Sequence, residues 1–226
     1  MEFSLQPLLL SFELSLITTV LLLLIGIPIS HFLAYHNFRF KSGIEAIISL
    51  PLVLPPSVLG FYLLIAFSPN HFFGSFLEQT FNLRIIFSFS GLVIGSMLYS
   101  LPFMIHPLQA GFQSLPNNLR EASYTLGKSK FETFFRVSLP NIKPAILTGI
   151  VLSFAHTIGE FGVVLMIGGN IKKETRVASI AVYDAVEALD FHAAHIYSLI
   201  LLIISFLILL VVYSLNKHLF KSQKAL

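Results

Sequence analysis

Glu160 is the residue of this sequence whose surroundings first invite a chemical question. It lies in an apolar run that starts after Lys143 and carries no other Asp, Glu, Lys or Arg before Lys172. A carboxylate at such a position is costly unless it is paired, neutral or facing water, so it marks a functional site by default. Gly159 and Gly162 flank it and permit close backbone approach. His156 stands four residues earlier, on the same face of a predicted helix. A histidine and a carboxylate at one depth suit acid–base chemistry in a membrane-embedded enzyme, or a gate. The bland reading is a hydrogen bond inside a helix bundle.

Other chemistries find less support. The chain has no cysteine, which excludes disulfides, thiolate metal sites and a cysteine nucleophile. His192 and His195 have metal-ligand spacing without a nearby ligand cluster, and no metal or cofactor is expected. A phosphate-binding G-x-x-x-x-G-K-[ST] loop is absent, so the chain does not hydrolyse ATP by that route. No basic stripe interleaved with aromatics points to nucleic acid.

A second group of polar residues is concentrated from Asn118 to Pro140, NLREASYTLGKSKFETFFRVSLP. Asparagine is a favoured N-cap, and Pro116-Asn117-Asn118 predicts a helix over Leu119 to Leu126. Gly127 follows where a left-handed residue ends a helix. Ser129-Lys130-Phe131-Glu132 is a capping box, predicting a second helix from Lys130 that ends at Pro140.

The elements that must position these residues are membrane spans. The chain is 226 residues long, 55% hydrophobic and only 11% charged, with long uncharged runs. About 20 apolar residues cross a bilayer core. Five spans are expected: Leu14 to Ala34, Ile44 to Phe67, Phe89 to Ala110, Pro144 to Gly168, and Ile196 to Leu215. Met1 to Ala34 has no Lys or Arg, so it reads as a retained span and not as a cleaved signal peptide. Pro51, Pro55 and Pro56 break the second span, which is tolerated only where protein or a cavity satisfies the freed carbonyls. Gly91 and Gly95 carry GxxxG spacing in the third. Short amphipathic segments are expected within Ser68 to Ser88 and over Val177, Ile180, Ala181, Asp184 and Val186. With the N-terminus outside, the inner segments hold ten Lys and Arg and the outer segments four. That obeys the positive-inside rule and places the polar island formed by Asn118 to Pro140, and the C-terminus, in the cytoplasm.

The island resembles the EAA motif of permease subunits in bacterial ATP-binding-cassette importers. Glu121, Ala122, Ser123, Gly127, Val137, Leu139 and Pro140 match it, with Ser for Ala at 123 and Val for Ile at 137. Leu50 to Pro56 and Gly159-Glu160-Phe161-Gly162 are similar to molybdate permeases, as is Thr175-Arg176, and the likeness spans roughly Leu14 to Leu215. The resemblance implies an all-α, type I importer permease (MetI-like) fold, one domain over 1–226, in the bacterial inner membrane. It implies that 116–140 is a cytoplasmic coupling loop docking on an ATPase subunit. It further implies a homodimer and an oxyanion-binding protein outside. Molybdate is the expected substrate, with tungstate and sulfate as alternatives. A negative group is a poor oxyanion ligand, so Glu160 reads as gate or packing contact. Pro51, Pro55, Pro56, His156, Gly159, Glu160 and Gly162 are the pathway or gate candidates.

Overall fold

The computed structural model describes residues 4–223, with the side chains of 211–213 and 215–223 left out. Every regular element among them is helical. α1 (Gln6–Tyr35) begins earlier than the apolar pattern predicts, because Pro7 sits comfortably in a first turn whose amides lack partners anyway. At 1.5 Å per residue it is about 45 Å long, more than a bilayer core requires. Its buried stripe is small and weakly polar: Ser11, Ser15, Thr18, Thr19, Gly26 and Ser30, with Leu14, Leu22 and Leu33 between. Its exposed face is Leu9, Phe12, Leu16, Val20 and Leu24. Small residues inside and leucines outside are the pattern of a helix packed through close backbone contact with lipid around it.

α2 (Lys41–Ser49) runs through a 3₁₀ turn at Leu50–Leu52, and α3 (Pro56–Phe67) then leaves at 111°. The second apolar stretch is therefore sharply folded. Pro55 has ψ 135, the extended value forced on a residue before proline, and Pro56 opens α3. α4 (Phe72–Phe81) is the short amphipathic segment expected between the second and third stretches. α5 (Phe89–Gln113) is a continuous helix despite Pro102 and Pro107, started by Ser88, whose hydroxyl accepts from the Gly91 amide.

The Gly91–Gly95 spacing does not make one helix seam. A β-carbon at Gly95 would meet Val163 at 3.1 Å, whereas at Gly91 it would meet the carbonyl of Ile85 at 2.1 Å. Gly95 serves helix packing, and Gly91 lets the entering loop fold against its own helix.

The polar island forms α6 (Asn117–Thr125), α7 (Lys130–Thr133), a π-helical turn at Phe134–Ser138 and α8 (Leu139–Asn141). α9 (Lys143–Ile158) follows at 71° to that segment. The fourth apolar stretch is not one helix: α9 stops at Ile158 and α10 (Gly162–Gly168) begins after three residues. Glycine on both sides of the break makes continued helix unfavourable. Gly169, at φ 65 and ψ −145, then occupies a region essentially reserved for glycine. α11 (Ala178–Glu187) is the second predicted amphipathic helix, and α12 (Phe191–Gln223) closes the chain. Lys217 and Lys221 of the basic tail fall among the undescribed side chains, and Lys224 lies outside the described residues.

Three helices, α1, α5 and α12, are individually long and apolar enough to cross a membrane, and the bent pairs raise the number to five. α1, α5 and α9 form the centre of the bundle, with α10 packed on α3 and α5. One core cluster joins Leu14, Leu92, Val93, Val164, Ile167 and Ile180, and a second joins Leu22, Met104, Leu108, Phe112 and Ile142. α12 is peripheral, with only 17% of its most apolar stretch buried, so most of that surface is left for lipid or for another subunit.

Candidate functional site

Two regions hold the predicted site residues. In the island, Gly127 has φ 76 and the Ser129–Glu132 capping box is complete in both directions. The Glu132 carboxylate accepts from the Ser129 amide and from Lys128, and these two donors hold its pKa below the ordinary value near 4.5. The asparagine cap does not form: α6 starts at Asn117, and the capping position is Pro116, with no side-chain bond. The rigid φ of Pro116 sets the entry, so the asparagines are drawn into the first turn.

The second helix does not end at Pro140. Pro140 has no amide to donate, and its ring crowds the carbonyl four residues earlier. The chain relieves this by widening to a π turn over Phe134–Ser138, and the Asn141 side chain donates to the Val137 carbonyl at 2.7 Å. The loop thus continues to Ile142, where the backbone turns into α9.

Glu121 and Ala122 are exposed, and Ser123 is buried. The Ser123 hydroxyl shares a 2.9 Å hydrogen bond with Thr133, itself 1% exposed, tying α6 to α7. Val137 and Leu139 are half-buried and Pro140 is exposed. Leu126, Phe131 and Phe135 stand out into solvent beside them, giving a charged knob an apolar surface.

The knob is anchored by groups that the sequence pattern does not reveal. The Arg120 guanidinium lies 3.8 Å from the ring centroid of Tyr35, at the end of α1. The Tyr35 hydroxyl donates to the Phe112 carbonyl at 2.9 Å, at the end of α5. His31 makes edge contacts with Tyr35, Phe112 and Phe134. Island, α1 and α5 therefore meet in one aromatic cluster. Arg120 is visible in the sequence only as one more basic residue; its partner is 85 positions away.

The second region is the meeting of the two breaks. A β-carbon at Gly162 would lie 2.6 Å from Cβ of Pro56, and one at Gly60 would lie 2.7 Å from Cβ of Met166. The Pro55-Pro56 elbow and the Gly159–Gly162 break are thus in direct contact, α3 against α10. Gly159 is different, since its nearest neighbour would be the Ala155 carbonyl at 3.8 Å. Pro51 is placed instead in the 3₁₀ turn packed against α5, beside Ser49, which bonds His106 at 3.1 Å.

Glu160 lies outside the helix, and the one-turn spacing to His156 yields no hydrogen bond between the two side chains. The His156 Nδ1 bonds Ser100 at 2.9 Å, Ser100 bonds Thr157 at 2.9 Å, and the His156 ring stacks on Phe103 with centroids 4.0 Å apart. Glu160 is 5% exposed, and neither carboxylate oxygen has a hydrogen bond of normal geometry. Its backbone carbonyl accepts from the Ser179 hydroxyl of α11. The site is therefore a buried carboxyl in a packed junction, and no ion pair joins it to His156 among the described residues.

A helical bundle with broken spans and a charged knob between two of its stretches suits a membrane transport subunit. Comparison with known proteins agrees. Residues 7–224 match the family described as binding-protein-dependent transport system inner membrane component, and the chain belongs to that family. It is 45% identical to the molybdenum transport system permease protein ModB of Azotobacter vinelandii, over 94% of both chains. It is 34% identical to the probable sulfate transport system permease protein cysT of Prototheca wickerhamii, over 88% of this chain and 78% of that one. The inward-facing MetNI methionine ABC transporter superposes with a TM-score of 0.70 at 14% identity, over 92% of both chains, which supports the fold alone. The chain is a multi-pass inner-membrane permease subunit of an ATP-binding-cassette importer and not an enzyme, with ATP hydrolysed by a separate subunit. Family membership implies an ATPase, a substrate-binding protein and dimerisation.

Proposed function

We propose that this permease carries molybdate across the cytoplasmic membrane. The observation that carries the reading is the 45% identity over 94% of both chains to a molybdenum permease. The sulfate relative matches less closely and over less of its own length. The apolar stretches contain no mid-span Lys or Arg, which suits a conduit that passes a tetrahedral dianion without holding it. Selectivity then resides in an oxyanion-binding protein outside.

In this reading the N-terminus is outside, and residues 116–140 are the cytoplasmic coupling loop. Glu121, Ala122, Ser123, Gly127, Val137, Leu139 and Pro140 form or shape the surface gripped by the ATPase. Two copies of the chain enclose the path on a two-fold axis. Movement of the island rocks α1 and α5 through the Arg120–Tyr35 contact. Pro51, Pro55, Pro56, His156, Gly159, Glu160 and Gly162 are the pathway or gate group, with the elbow at Pro56 and Gly162 as the bending point.

Tracer molybdate uptake in cells lacking the chain, and then restored with it, tests the substrate. Uptake that depends on the chain and is blocked by tungstate but not by sulfate is expected. Uptake indifferent to the chain sinks the molybdate assignment; a block by sulfate redirects it to a sulfate importer. Glu121→Lys tests the coupling loop, since it should release the ATPase from the purified complex. An intact complex with normal uptake in that variant removes the loop from the ATPase interface.

A further inference from the structure

A cavity of about 460 Å³ opens where the first turn of α1 meets α11 and the start of α12. Lys172, Lys173, Arg176 and Asp184 line it, with Ser4 and Tyr197. Asp184 is committed to Arg176, whose Nη2 lies 2.8 Å from its Oδ2. Asn170 completes that clamp, accepting from Arg176 Nε at 2.6 Å and donating to Asp184 at 3.0 Å. Lys172 and Lys173 have no acidic partner among the described residues, so the cavity carries uncompensated positive charge.

The loop that presents the lysines is built, not loose. The Ile171 carbonyl accepts from the amides of Glu174, Thr175 and Arg176, and Thr175 Oγ1 donates to the Gly168 carbonyl at 2.7 Å. Lys173 has φ 74, a left-handed conformation that a residue with a β-carbon adopts only when its surroundings enforce it. Opposite, the Tyr197 hydroxyl donates to the Ser4 carbonyl at 2.8 Å, joining the starts of α1 and α12.

From the cavity both helices run on as apolar surface. Leu5, just before α1, and Leu9 of α1 are exposed, as are Leu199, Leu202 and Phe206 of α12. A cationic cavity at the head of two helices with exposed apolar faces fits an anion that has an apolar body attached.

We infer that this cavity binds an anionic phospholipid, with its phosphate between Lys172 and Lys173 and its acyl chains along the exposed faces of α1 and α12. A phosphate between two lysines makes charge-assisted contacts with both ammonium groups, which are stronger than contacts between neutral groups. A free phosphate or other tetrahedral oxyanion shares the headgroup chemistry and lacks the apolar contacts. The inference is independent of the substrate assigned above.

The test uses the full chain purified in a neutral detergent and stripped of lipid. Its Tm is read in micelles containing phosphatidylglycerol, in micelles containing phosphatidylcholine, and with inorganic phosphate alone. Phosphatidylglycerol is expected to raise Tm by roughly 5 °C, the scale for a ligand well above its Kd. Phosphatidylcholine and phosphate should have little effect. The Lys172→Ala/Lys173→Ala pair should lose the shift, and Lys172→Arg/Lys173→Arg should keep it. An equal shift with phosphatidylcholine, or an undiminished one in the alanine pair, overturns the site. A full shift with phosphate alone overturns the lipid as its occupant.

Discussion

Ser123 and Thr133, ten positions apart, share a buried 2.9 Å hydrogen bond that fastens α6 to α7. Ser123 is the position where this chain departs from the alanine of the motif it resembles, and the hydroxyl is used. Ser123→Ala leaves the Thr133 hydroxyl buried without this partner, a loss of about 1 kcal/mol. The full chain should melt roughly 3 °C lower. Adding Thr133→Val, which removes the orphaned hydroxyl, should recover part of that loss. A double variant no more stable than Ser123→Ala would show that the bond is incidental.

The Arg120–Tyr35 contact at 3.8 Å predicts a coupled pair. Arg120→Ala and Tyr35→Leu should each lower stability. Their combined effect should fall short of the sum by about 1 kcal/mol, the coupling expected of a cation over an aromatic face. If the contact also transmits movement, both variants should hydrolyse ATP in the assembled importer with reduced uptake per ATP. Additive losses in a double-mutant cycle would dismiss the pair.

The two glycines that flank the break in the fourth stretch, Gly159 and Gly162, should respond differently to a methyl group. At Gly162 the new atom would lie 2.6 Å from Cβ of Pro56, so Gly162→Ala should cost about 1–3 kcal/mol through overpacking. At Gly159 the nearest atom would be 3.8 Å away, so Gly159→Ala should fold normally. Tm and expression of the two variants, side by side, check this. Equal behaviour would mean that the α3–α10 elbow is not tightly packed.

Glu160 is enclosed, with both carboxylate oxygens lacking a bond of normal geometry. Gln keeps the shape of the side chain and brings no charge into the enclosure, so Glu160→Gln should keep stability within about 1 kcal/mol. Glu160→Lys places a longer cation in the same enclosure and should abolish the folded permease. Uptake by the Gln variant then separates roles: normal transport makes Glu160 a packing residue, and lost transport with normal folding makes its carboxyl functional.

Much of this protein is written in local order. The all-helical class follows from long uncharged runs, since lipid demands that each backbone group be bonded within its own segment. Gly127 and the Ser129–Glu132 box predict the turn and cap of the island because both act within four residues, and both form. The prolines at 51, 55 and 56 predict a break, and the break is there. Other features depend on distance. The pattern cannot distinguish a straight span from one folded through 111°, because hydropathy has no direction. The stop after Ile158 is carried by a glycine pair that many continuous helices would tolerate, and it is the approach of Pro56 to Gly162 that selects the broken form. Helical spacing placed His156 beside Glu160; once the helix ends between them, that spacing no longer applies, and Ser100 of α5 takes the histidine instead. Arg120 on Tyr35, Ser123 with Thr133, and Lys172 and Lys173 around a cavity are all decided by which surfaces the bundle brings together. Sequence periodicity reports which face of an element is apolar, and only the packed chain determines what that face meets.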